Sequence, residues 1–163
     1  MSRNPLTTFI VGVDPGDSTG FAVIRGDGFR VHVAQGPPHV LDDFTERFRF
    51  LTYPGIDVLV ACERFVVTIE TARHSSQPTA LQVTGVVQLI ARTHDWPFYL
   101  QTPADAKKLV PNFLLRDLGL YVTPRDVERP DANDANDAVR HALLCLAQRR
   151  ASAFDVLTRD TMT

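Results

Sequence analysis

Residues 8–35 hold three short apolar runs, TFIVGVD, FAVIR and FRVHVAQ, separated only by PGDSTG and GDG. Connections that short join antiparallel neighbours, because a parallel pair needs a crossover of a dozen or more residues. The first run reads as a buried strand, and the third alternates as a half-buried one does. The chain is therefore expected to begin as an antiparallel meander.

The pattern then changes. Val40, Leu41, Phe44, Phe48 and Leu51 recur at helical spacing over 40–52, and DVLVAC at 57–62 reads as another buried strand. A helix with one apolar face is expected over 78–94, and a fifth strand over 97–101. A helix broken near Pro111 is expected over 103–119, a loop over 120–130 and a last helix over 132–150. The order βββαβαβα predicts an α/β fold, with a mixed five-stranded sheet and helices on both faces. At 163 residues the chain is expected to form one domain over 1–150, followed by a tail over 151–163.

Composition narrows the function classes. No apolar run approaches the length of a membrane span, and the N-terminus MSRNPLTTF has no signal-peptide core, so the cytoplasm is the default expectation. Cys62 and Cys145 match no zinc spacing and read as buried free thiols. The formal net charge of −2 counts against a nucleic-acid binder unless the acidic residues cluster around cations. Arginine outnumbers lysine 15 to 2, which suits phosphate contact but equally reflects a GC-rich genome, cellular or phage.

The stretch RPDANDANDAVRHAL spaces Asp131, Asp134 and Asp137 three residues apart at the start of the last helix. Asp131, after Pro130, is expected as its N-cap. The helix dipole accounts for Asp134 acceptably but has faded by Asp137, about two turns in. Partners lie elsewhere: Asp14 ends the first strand and Glu63 ends the fourth. If those strands are parallel neighbours, their carboxyl ends coincide, and the last helix need only pack there to add Asp134 and Asp137 from one face. Four such carboxylates repel one another, and hard divalent cations with oxygen ligands relieve that cost. Two such ions form the standard device for phosphodiester cleavage. Taken singly, Asp14 also suits a DPGD turn, and Glu63 a strand-end surface charge.

In this order, VGVDPGDSTGFAV, VLVACERF and DANDAVRHAL resemble the RuvC family of Holliday-junction resolvases, within the RNase H-like nuclease superfamily. The resemblance runs over about residues 8–148. It implies an RNase H-like sheet and catalytic, metal-binding carboxylates at Asp14, Glu63, Asp134 and Asp137. It also implies Mg²⁺ or Mn²⁺ as two ions per site, branched DNA as substrate, and a homodimer. Family members carry a basic segment between the fifth strand and the last helix. Here PADAKKLVPNFLLRDLGL stands there, with Lys107 aligning best and Lys108 beside it, so positive charge is lost.

Further candidates for DNA contact are Arg64, Phe65 and Arg73, in RFVVTIETARHSS. That mixture can stack on a base and hold phosphates. A partly buried Phe65 among solvated arginines explains it equally well. The resemblance adds that a Phe just after the glutamate contacts the junction centre. His141 lies four residues after Asp137 on the same helix face, and is a candidate auxiliary at the metal site or for phosphate, with a helix-surface or packed histidine as the alternative. The function expected is structure-specific cleavage of branched DNA. Fork, flap, single-strand or RNA–DNA hybrid cleavage are alternatives within the same chemistry. An actin-like ATP-binding fragment is the alternative from another class, because the first motif also resembles a phosphate hairpin.

Overall fold

The structure is a computed structural model that describes residues 4–41, 46, 48–65 and 77–160. Five strands form one sheet: β1 (Thr8–Asp14), β2 (Thr19–Arg25), β3 (Arg30–Gly36), β4 (Asp57–Glu63) and β5 (Phe98–Gln101). Their order is β3-β2-β1-β4-β5. The β1–β2 and β2–β3 pairs are antiparallel, and β1–β4 and β4–β5 are parallel. This is the mixed sheet expected from the short turns at one end and the crossovers at the other.

Side-chain alternation divides the core in two. Ile10, Ala22, Ile24, Leu59 and Ala61 point to one face, where α5 (Asn133–Asp160) packs with Ala135, Ala138, Val139 and Ala142. Phe9, Val11, Val13, Phe21, Val23, Val58 and Val60 point to the other, against Val83, Val87 and Ala91 of α1 (Gln77–Thr93). Strands buried on both faces are what continuous apolar runs predict.

Three shorter helices follow β5: α2 (Pro103–Leu109), α3 (Asn112–Asp117) and α4 (Pro124–Val127). The expected break near Pro111 is present, since proline disfavours helical backbone at Val110, which sits at φ −126, ψ 70. The expected loop over 120–130 contains α4. Its entry is capped by Asp126, whose carboxylate accepts the Thr123 N–H at 2.7 Å. Of the helix expected over 40–52, residues 42–45 and 47 lie outside the described residues, and the span ends in a 3-10 turn, Arg49–Thr52. The last helix continues to Asp160 rather than ending at 150. No glycine or proline occurs between 131 and 163 to stop it. Among the described residues, no helix is long and apolar enough to cross a membrane.

α1 departs from the one-faced helix expected. Ala80, Val83, Val87 and Ala91 are buried, but Leu81, Val86 and Leu89 form a second, exposed apolar set.

Candidate metal centre

β1 and β4 pair in parallel with Val13 opposite Cys62, so Asp14 and Glu63 follow at matching carboxyl ends. α5 brings the third carboxylate. Ligand atoms of Asp14, Glu63 and Asp137 all lie within 4.8 Å of one another; Asp14 and Glu63 are partly buried, and the Asp137 side chain is 13% exposed. Three distant segments thus converge on one point at the edge of the sheet.

Two glycines let α5 come so close. A Cβ on Gly12 would lie 2.0 Å from the Ala138 carbonyl oxygen, and one on Gly20 would lie 1.9 Å from that of Asp134. Any larger residue would push the helix, and its aspartates, off the sheet. Gln35 at the end of β3 fixes the helix start. Its Oε1 accepts the Ala135 N–H (3.0 Å), and its Nε2 donates to Asp131 Oδ1 (3.1 Å). The expectation for Asp131 is corrected here: the helix starts at Asn133, so Asp131 stands one position before the N-cap. Its carboxylate still accepts the Asn133 N–H at 3.2 Å.

The electrostatics are those of like charges held together. Burial, and then the charges of Glu63, Asp137 and Asp134, push the Asp14 carboxyl up to about 9, with Lys107 opposing. Without a cation, Asp14 keeps its proton at neutral pH. Asp134 is raised as well, chiefly by burial, while a hydrogen bond from Ser18 pulls it the other way. Two side chains counter the charge of Asp137. Lys107 Nζ lies 3.0 Å from Oδ2, and the Arg140 guanidinium is bonded to Oδ1. Arg140 also donates to Asn112 Oδ1 and to the Val110 carbonyl (3.1 Å), tying the α2–α3 junction to α5.

Glu63 is held by a different group. His141, fully buried, places Nε2 3.0 Å from Glu63 Oε2 and Nδ1 2.9 Å from the side-chain amide of Gln101, the last residue of β5. The donor set, carboxylates alone, suits a hard divalent cation.

The expected residues fall into three groups. Asp14, Glu63 and Asp137 come together, and Asp134 stands beside them within electrostatic reach but outside the 4.8 Å triad. Lys107 reaches the cluster, whereas Lys108 and Arg64 are exposed and Phe65 is partly buried. Arg73 lies outside the described residues. His141 is a buried partner of Glu63 rather than a surface group. Sequence reasoning missed Gln35, Gln101 and Arg140. Arg140 carried a readable signal, three residues after Asp137 on the same helix.

This chain has a RuvC-like fold, a three-stranded meander extended by parallel strands with helices on both faces. Thirteen solved chains match it. One is Thermus thermophilus RuvC in complex with a Holliday junction substrate, at TM-score 0.60 and 20% identity, covering 88% of this chain and 96% of that one. A second structure of Thermus thermophilus RuvC matches at TM-score 0.58, with the same identity and coverage. No known family profile matches the sequence, and no curated protein matches it either.

Proposed function

We propose that this protein is a divalent-metal-dependent endonuclease that cuts branched DNA of the four-way-junction type. The observation that carries the reading is the convergence of Asp14, Glu63 and Asp137 within 4.8 Å from β1, β4 and α5. Raising the Asp14 carboxyl to about 9 is costly for a fold unless a cation relieves it. The RuvC-like fold supports the choice of substrate, since the similar Thermus thermophilus protein is in complex with a Holliday junction.

Asp14, Glu63 and Asp137 would hold the cations, Mg²⁺ or Mn²⁺, with Asp134 completing a set suited to two. Bound there, the ions supply a water activated for attack and stabilise the leaving oxygen. The other side chains act on the DNA or on the ligands. Lys107 puts an ammonium beside Asp137, where a phosphate must approach, and Asp137 raises its pKa, so it stays charged. Arg140 fixes the Asp137 rotamer. Lys107, Asn112, Asn133 and Arg140 line a cleft of about 410 Å³ next to Asp137, polar enough to seat a strand. Lys108, Arg64 and Phe65 are assigned to DNA contact, together with Arg73, which lies outside the described residues.

Cutting two strands symmetrically requires two copies of the site. The exposed face of α1, with Leu81, Val86 and Leu89, offers a surface for a second copy. Gly85 sits among them with open space above it, at about 1 kcal/mol less helix stability than alanine. Such a gap suits close helix approach.

The test is cleavage of end-labelled four-way junction, fork, single strand, duplex and RNA–DNA hybrid with Mg²⁺ or Mn²⁺, beside Asp14→Asn. Paired symmetric nicks at the junction, lost in the variant, are expected. Cutting confined to forks or single strands would overturn the junction assignment but keep the metal chemistry. Equal cutting by the variant would overturn the centre itself.

A further inference from the structure

The hydrogen bonds around His141 fix which of its nitrogens carries the proton. Glu63 and Gln101 are register partners at the carboxyl ends of β4 and β5, and His141 on α5 sits over both. Gln101 is buried, 7% exposed as a residue, so its polar atoms must find partners inside the protein. One orientation satisfies them all. Its oxygen accepts the Cys145 N–H (3.3 Å), and its nitrogen donates to the His141 carbonyl (3.1 Å) and to His141 Nδ1 (2.9 Å). Nδ1 is then an acceptor, the proton of the neutral ring is on Nε2, and Nε2–H donates to Glu63 Oε2.

We propose that His141 is a positioning residue for Glu63, locked as the Nε2–H tautomer by Gln101, and that this relay sets the affinity of the carboxylate cluster for its cation. The inference rests on the metal-centre reading above and deepens it. A ring with no solvent exposure, bonded at both nitrogens, has no freedom to turn. Glu63 therefore keeps Oε2 on the imidazole, and the orientation of its carboxylate at the cluster is fixed with it. Partners of this kind, one bond removed from a metal, orient the ligand, and their loss typically weakens metal binding about 10–100-fold. An apolar side chain would fill the same space without two buried nitrogens to satisfy, so packing alone does not call for histidine.

The test is Mn²⁺ binding to the metal-free protein, followed by calorimetry, with cleavage measured separately. Three variants separate the roles. His141→Leu keeps bulk and removes both nitrogens. His141→Gln keeps a donor near the position of Nε2, and His141→Asn keeps a polar group only near Nδ1. His141→Leu and His141→Asn are expected to weaken Mn²⁺ binding about 10-fold or more, while His141→Gln stays within about threefold of the parent. In cleavage, the loss should appear as a higher metal requirement, with kcat at saturating metal largely restored. Nitrogen-15 spectra of the parent should show the Nε2–H tautomer at His141. Should His141→Leu fail to fold, the contrast between Gln and Asn decides the matter alone. Parent-like Mn²⁺ affinity in folded His141→Asn overturns the relay and leaves the metal centre standing. Failure of the parent to bind Mn²⁺ overturns the metal centre, and the relay with it.

Discussion

Replacing Asp14 by asparagine tests the electrostatics of the centre with almost no change of shape. In the folded, metal-free protein the Asp14 carboxyl is pushed up to about 9 from an ordinary 3.8. The native state therefore holds a proton that the unfolded chain releases. The stability linked to this group is complete below pH 3.8 and declines as pH rises, levelling off near 9. Between 3.8 and neutral pH lie about 3.2 pH units, at about 1.36 kcal/mol each, or roughly 4 kcal/mol. Water and side-chain relaxation around the partly open cluster reduce this, so a gain on the order of 2–3 kcal/mol is expected from the neutral isostere at pH 7. Urea unfolding in EDTA at pH 5, 7 and 9 measures it. Asp14→Asn should be the more stable protein, by a margin that widens from pH 5 to pH 9. Saturating Mn²⁺ should then narrow the gap, because the parent gains binding energy that the variant has partly lost. A gap that is absent, or constant across that range, would refute the reasoning, since Asp14 would then ionise without cost.

Two further substitutions probe other links. Lys107→Ala should weaken junction binding and make the dependence of log K on log salt shallower by about 0.9, the loss of one phosphate contact; an unchanged slope in a salt titration would remove Lys107 from the interface. Gly12→Ala places a methyl group 2.0 Å from the Ala138 carbonyl oxygen. Urea denaturation should show a loss of at least about 1–3 kcal/mol, with metal affinity falling as α5 is displaced.

The pairing of the first three strands was legible because the turns after Asp14 and Arg25 are too short for any other arrangement, whereas the parallel pairing of β1 with β4 entered only as a condition. The convergence of Asp14 with Glu63 was legible for a related reason. Each residue ends an apolar run, so parallel pairing of the runs brings the two together. Asp137 was legible from helical spacing once the helix had somewhere to pack. The partners that hold these carboxylates were not. Gln101 looks like any strand-end glutamine until β5 pairs with β4. Gln35 caps α5 across 100 residues of chain, from Gln35 to Ala135. Local pattern carries no information about such pairs. Gly12 and Gly20 were visible as glycines, but only the packed helix shows that backbone approach, not turn geometry, requires them. The exposed apolar set on α1 was merged with its buried face, because both sets are apolar positions interleaved along one helix and only burial separates them.

The net charge of −2 weighed against a DNA-binding function while charge was counted over the whole chain. Four of the 19 acidic residues, Asp14, Glu63, Asp134 and Asp137, are gathered in or beside one cluster. Setting them aside leaves 17 basic residues against 15 acidic ones, a formal balance of +2. The negative charge is therefore a property of the centre rather than of the surface that DNA would meet. Two divalent cations would add four positive charges at that centre. Cation binding and DNA binding would then favour one another, because the cation cancels carboxylate charge that repels phosphates while the phosphates add charge that attracts the cation, and linkage makes that coupling equal in both directions. Lys107 belongs to this balance. Its ammonium partly offsets Asp137 when no cation is present, and it is the side chain best placed to turn to a phosphate once a cation takes over that task. A chain with two lysines in all can place one of them there if a cation supplies the rest of the positive charge.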